Sequence, residues 1–218
     1  MTVSPSALTE LPAQNYASIR AQVRTGDIAL CSGTQFFSKV IRWATKSPWS
    51  HVAIIFRLED MDRVMVLEAV EKIGVRAVPL SRFVAEDSAR HRPYPGDIVI
   101  ARHADFDARA ADGALRRMGD FATDRLGAPF GGLEMTRVAL RIAMSGLGVK
   151  LPRMLRSDGE FICSEYVARC YEHLGIHIPW EGRGFIAPSD FGRDEKITAV
   201  ARVSNHPFPG GSSVPPAL

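Results

Sequence analysis

The chain has 218 residues, 46% of them hydrophobic, enough for one sizeable core but short for two full domains. Its formal net charge is +3, with both signs interspersed, which argues against the cationic stripe of a nucleic-acid binder. The three cysteines, Cys31, Cys163 and Cys170, are odd in number and lack paired spacing, which argues against a disulfide framework.

Residues 1–11 are polar and are expected to form a flexible N-terminus. No basic stretch followed by an apolar run opens the chain, so no secretory signal is expected. Residues 12–23 read as a short helix, broken by Thr25-Gly26. Asp27 to Cys31 then reads as a strand. Ser32-Gly33-Thr34 is a turn before QFFSKVIRWATK, where Phe36, Val40 and Trp43 recur at the spacing of one helical face, the pattern of an ordinary core stripe. Ser47-Pro48 ends that helix.

The runs SHVAIIFRL and RVMVLEAV have strand composition, and Glu59 to Asp62 separates them. GVRAVPL and PGDIVIAR follow, and Ile197 to Val203 reads as a last strand. Short β runs in succession predict an antiparallel meander. Residues 107–126 and 133–147 read as helices, 152–159 as a polar loop, and FICSEYVARCYEHL as the start of another helix. Residues 12–206 are expected to be a single domain and 207–218 a disordered tail. The expected class is α+β, a small antiparallel sheet or open barrel packed against helices. The stretch MTRVALRIAMSGLGV holds two arginines and is too short to span a bilayer, so stable membrane insertion is not expected. Free thiols and no export signal together predict a cytoplasmic protein.

The chemistry turns on the cysteines. Cys163 and Cys170 share one helical stripe with Val167 and Leu174, a spacing equally suited to buried structural cysteines. Cys163 differs by position. It lies in the first helical turn, where unpaired N–H groups and the positive dipole end favour a thiolate. A nucleophilic cysteine also needs an imidazole and an acceptor that orients it. Of the six histidines, His91, His103, His173, His177 and His206 sit in polar or surface-like contexts. His51 opens an apolar strand, where a side chain borders both core and solvent. Glu68 is the only charge inside VMVLEAV, and a carboxylate there needs a partner or a solvent-facing side. A two-residue turn at Glu59-Asp60 would set His51 opposite Glu68. A four-residue turn would keep both on one face, and a three-residue turn would separate them.

The segments GDIAL (26–30), FSK…SPWSHVAII (37–55), LEAV (67–70), PGDIVIAR (95–102), LGAPF (126–130), FICSEYV (161–167) and APSDF (187–191) resemble the circularly permuted branch of the NlpC-type papain-like amidases. This is the YiiX-like group, related to the lecithin:retinol acyltransferase-like proteins. The resemblance implies a papain-like fold with the order His, Glu, Cys. It implies Cys163 as nucleophile, His51 as base and a polar orienting residue, here Glu68. Trp49, Ser50 and Tyr166 are expected to bind substrate. The implied activity is cysteine hydrolysis of a peptide-like amide, γ-glutamyl or cell-wall-derived, without cofactor or metal. A lipid-directed acyltransferase or phospholipase using the same three residues is one alternative. A non-catalytic binding module on the same scaffold is another.

Overall fold

The computed structural model describes residue 3 and residues 7–85, 94–131, 162–180 and 185–203. The helix expected over 133–147, the loop over 152–159, the C-terminal tail, His91 and His206 lie outside these residues.

The strands are β1 (Ala13–Gln14), β2 (Ile28–Gly33), β3 (His51–Leu58), β4 (Arg63–Val70), β5 (Gly74–Pro79), β6 (Gly96–His103) and β7 (Ile197–Val203). They form one seven-stranded sheet in the order β1-β7-β6-β2-β3-β4-β5. Only β1–β7 is parallel; every other pair is antiparallel. The sheet is mixed and open. The described helices are α1 (Ala7–Glu10), α2 (Tyr16–Ile19), α3 (Phe36–Thr45), α4 (Leu80–Ala85), α5 (Phe106–Arg109), α6 (Ala114–Asp124), α7 (Cys163–Glu172) and α8 (Pro188–Arg193).

Alternation along the strands gives the sheet two apolar faces. Ile28, Leu30, Val52, Ile54, Leu67 and Val99 meet Met118 of α6 and Tyr166, Val167 and Tyr171 of α7. Ala29, Cys31, Ala53, Ile55, Val66 and Ile100 meet Ile19, Val23, Leu80 and Phe83. Both faces of β2 are therefore covered, and all six of its residues are buried.

Three elements differ from expectation. Residues 12–23 are not one helix. Ala13–Gln14 pair with Arg202–Val203, and Asn15 starts a fresh helix by accepting a hydrogen bond from Ser18 N–H at 2.9 Å. The helix expected over 107–126 splits into α5 and α6, because Asp112 and Gly113 take left-handed conformations, φ 53° and 74°. The Phe36–Val40–Trp43 stripe is not core: Phe36 is 76% and Trp43 81% exposed.

The GDIAL segment anchors α7. Tyr171 Oη donates to the Gly26 carbonyl at 2.8 Å. The buried Asp27 carboxylate accepts from Arg102 Nε at 2.7 Å and from Arg24 N–H at 2.8 Å. Gly26 has φ +88°, and a Cβ there would lie 2.0 Å from the Phe106 ring. Gly26→Ala therefore combines backbone strain with a clash against a packed aromatic. It is expected to cost about 2–4 kcal/mol, read as a lower midpoint in thermal or urea unfolding. A midpoint unchanged from wild type would show that Phe106 moves aside freely.

Candidate active site

The site is assembled where β3 begins. Ser50 N–H donates to the Cys31 carbonyl at 2.9 Å, and Ser50 Oγ accepts from Gly33 N–H at 2.9 Å. These bonds tie the segment before His51 to the end of β2. Trp49 locks the same segment from below. It is 1% exposed, its Nε1–H donates to the Val3 carbonyl at 3.1 Å, and its ring lies so close over Gly192 that a Cβ there would sit 2.3 Å from it. His51 emerges at the edge of the core with its side chain 19% exposed.

The β3–β4 hairpin sets the next residue. Leu58 pairs with Arg63 and Ile54 with Leu67, so residues 59–62 form a four-residue connection. Asp62 closes it in the left-handed conformation, φ 45°. The pairing ends at Ile54–Leu67, and the same register extended by one residue sets Ala53 against Glu68. His51 and Glu68 then lie diagonally on one face, within reach for long side chains. His51 Nε2 lies 2.7 Å from Glu68 Oε2. Glu68 itself pairs with Arg76 of β5. Arg76 donates through Nε at 2.9 Å and Nη2 at 2.5 Å to Glu68 Oε1. The buried carboxylate thus spends one oxygen on the imidazole and the other on a guanidinium.

Cys163 comes from the opposite direction. Ile162, in extended conformation, caps α7, and Cys163 is its first residue. Cys163 is half-buried, whereas Cys31 and Cys170 are fully buried. Its thiol hydrogen-bonds to His51, and the N–H groups of Val52 and Ser164 also point at the sulfur. Since Glu68 holds Nε2, the other ring nitrogen of His51 is the one left for the thiol.

The electrostatics follow from this packing. Burial pushes the Cys163 thiol up, but His51, by charge and hydrogen bond, and the two N–H groups outweigh it, and its pKa falls below the ordinary value. Burial opposes charge on His51, but Cys163 and then Glu68 reverse this and push it up to about 10. Burial also raises Glu68, yet hydrogen bonding and charge from His51, followed by Arg76, hold its carboxyl below the usual range. The other two thiols go the opposite way. Burial, with nothing cationic to offset it, raises both Cys31 and Cys170 well above the ordinary value. Of the three thiols, only Cys163 faces an imidazole and only its pKa is drawn downward.

The structure brings Cys163, His51 and Glu68 together. It does not bring Trp49, Ser50 and Tyr166 to the cleft. All three are buried, and their polar atoms are committed: Trp49 and Ser50 as above, Tyr166 Oη to the Ala122 carbonyl at 2.8 Å. Each is bonded into the scaffold. His103, expected at the surface, is also buried. Its Nδ1 accepts from Asp105 N–H at 3.1 Å and its ring packs edge-on against Tyr171. Sequence reasoning missed Arg76. Its signal was a lone arginine in GVRAVPL facing the lone glutamate of the neighbouring strand across a short Glu71–Ile73 turn.

Among the described residues, no group of three or more His, Cys, Asp and Glu side chains is arranged to hold a metal ion. Both oxygens of Glu68 are engaged, one by a cation, so this donor set does not suit a metal. No described helix is long and apolar enough to cross a membrane.

Residues 22–134, more than half of the chain, match the family described as permuted papain-like amidase enzyme, YaeF/YiiX, C92 family. The matched span includes His51, Glu68 and Arg76 and ends before Cys163. Among solved structures, the metalloprotein yiiX from Escherichia coli O157:H7 has the same fold, with a TM-score of 0.56 at 20% identity. The similarity covers 83% of this chain and 97% of that one. No curated protein matches the sequence.

Proposed function

We propose that this chain, which belongs to the permuted papain-like amidase family, is a cysteine hydrolase of peptide-like amides in which Cys163, His51 and Glu68 carry the reaction. One observation carries the reading. A half-buried cysteine at a helix N-terminus shares a hydrogen bond with an imidazole that a buried carboxylate grips from behind.

In this reading the Cys163 thiolate attacks the amide carbonyl carbon. The carbonyl π electrons move onto oxygen, and the Cys163 backbone N–H at the start of α7 donates to that oxyanion. The imidazolium of His51 passes its proton to the amide nitrogen as the C–N bond breaks. An amine leaves and a thioester remains. Water, deprotonated by His51, attacks the thioester, and its collapse releases the acid and restores the thiolate. Glu68 keeps the Nε2 proton in place, so the other nitrogen faces the sulfur, and it stabilises the imidazolium. Arg76 keeps Glu68 ionised and aimed.

The test is alkylation with iodoacetamide across pH 4 to 10, each cysteine followed by mass spectrometry. Cys163 alone is expected to label, with a midpoint below the ordinary thiol value of about 8.5. Amide hydrolysis is expected to follow a bell. Its acid limb tracks formation of the Cys163 thiolate. Its alkaline limb falls near pH 10, where His51 loses its proton. Cys163 labelling no faster than Cys31 and Cys170 removes the thiolate–imidazolium pair and with it this function.

A further inference from the structure

We propose that the outer face of α3 docks the protein on a bilayer surface bearing anionic phospholipid headgroups. Phe36, Val40 and Trp43 fall on one helical stripe, and they are 76%, 38% and 81% exposed. Contiguous large apolar side chains of this kind mark an interaction surface. The inner side of the helix is already occupied. Ser38 lies against Gly33, Arg42 Nη1 donates to the Gly33 carbonyl at 3.1 Å, and Arg193 Nη2 donates to the Thr45 carbonyl at 2.8 Å. The stripe therefore cannot turn inward without unmaking the helix's own anchorage.

Charge selects the partner. At 100° per residue, Lys39 and Lys46 line one border of the stripe, and both are exposed. The helix has three basic residues if Lys46 at its C-cap is counted, and no acidic one. Aromatic and aliphatic side chains bordered by lysines match the layering of a bilayer. The indole and phenyl rings sit at the headgroup–acyl boundary, and the ammonium groups reach back to the phosphates. Four residues separate Lys46 from His51, so the docking face and the candidate site are neighbours along the chain. This inference stands whether or not Cys163 is a nucleophile.

The full chain is mixed with vesicles of pure phosphatidylcholine and with vesicles of equal phosphatidylcholine and phosphatidylglycerol, and binding is read by sedimentation and tryptophan emission. The expected result is sedimentation with the mixed vesicles, weak sedimentation with pure phosphatidylcholine, and loss of binding as salt rises. Emission is expected to shift to the blue, and Trp43→Ala is expected to remove the shift, since Trp49 is already buried and Trp180 is half-buried against the core. Trp43→Ala is expected to weaken partitioning about tenfold or more. Lys39→Glu with Lys46→Glu is expected to weaken binding to the mixed vesicles to a similar extent. Both variants alter exposed side chains, and an unchanged thermal midpoint verifies the fold. Wild-type protein that stays in solution with both vesicles overturns the proposal, as does Trp43→Ala that sediments like wild type. A dimer in vesicle-free buffer that Trp43→Ala dissociates also overturns it, by assigning the face to a second copy of the chain.

Discussion

Cys163→Ala is expected to lower amide hydrolysis by about 10³-fold or more, with thermal stability within about 1 kcal/mol of wild type. The side chain is half-buried at a helix start, so losing one sulfur atom opens little cavity, yet it removes the only thiol whose pKa is drawn below the ordinary value. His51→Ala is expected to come close to the same loss by a different route. Without the imidazolium, burial dominates and the Cys163 thiol rises above its ordinary value, so at neutral pH both its nucleophilic fraction and its iodoacetamide labelling collapse. In the proposed mechanism the two residues work as one unit, so the double variant Cys163→Ala/His51→Ala is expected to be no slower than either single one. Turnover is measured on a panel of γ-glutamyl and peptidyl amides beside acyl esters. Wild-type turnover in Cys163→Ala would move the nucleophile elsewhere, and faster cleavage of the esters than of the amides would turn the substrate class toward acyl lipids.

The sheet was legible because its strands carry period-two patterns bounded by turn residues. SHVAIIFRL, RVMVLEAV, GVRAVPL and PGDIVIAR all became strands within a residue or two of their expected ends. Register was less legible. Glu59 to Asp62 suits either a two-residue or a four-residue turn, and only the left-handed Asp62 decides for the longer one. His51 and Glu68 still meet, because both turns preserve the face. Arg76 escaped because its meaning depends on the next register, β4 against β5, which periodicity does not supply. Helix faces were the weakest point. Phe36–Val40–Trp43 shows that a stripe exists but not which way it turns, since core and docking surface share the same spacing. Conversely, the tryptophan expected at the cleft, Trp49, is the one sealed in the core, because its ring closes over Gly192, a contact made across the length of the chain.

Glu68→Gln is expected to lower turnover by about 10³–10⁴-fold, the scale on which a serine-type triad loses activity when its carboxylate becomes an amide. Glutamine has one oxygen where glutamate uses two. If that oxygen faces His51, the NH₂ group meets the Arg76 Nε–H and Nη2–H donors. If it faces Arg76, the NH₂ group meets His51 Nε2, which must then give up its proton. The imidazole flips to the tautomer whose hydrogen faces Cys163, and the base is lost. Either way the charge that favours the imidazolium is gone, so the alkylation midpoint of Cys163 rises. Arg76 loses its buried partner, at a cost of about 3 kcal/mol, the low end of the range for a broken buried pair because the guanidinium keeps some contact with water. In the wild type, Glu68 is held below its unfolded pKa. It contributes its full stability above that unfolded value, and the contribution is lost as pH falls through the folded one. Glu68→Gln is therefore expected to lie below wild type at neutral pH and to approach it in acid, as read from urea midpoints at several pH values. Arg76→Lys keeps the charge but gives up the two-point grip. It is expected to lose less activity and to shift the acid limb of the rate profile upward. An Arg76→Lys profile identical to wild type would leave Arg76 a packing residue, and wild-type turnover in Glu68→Gln would take the carboxylate out of the site.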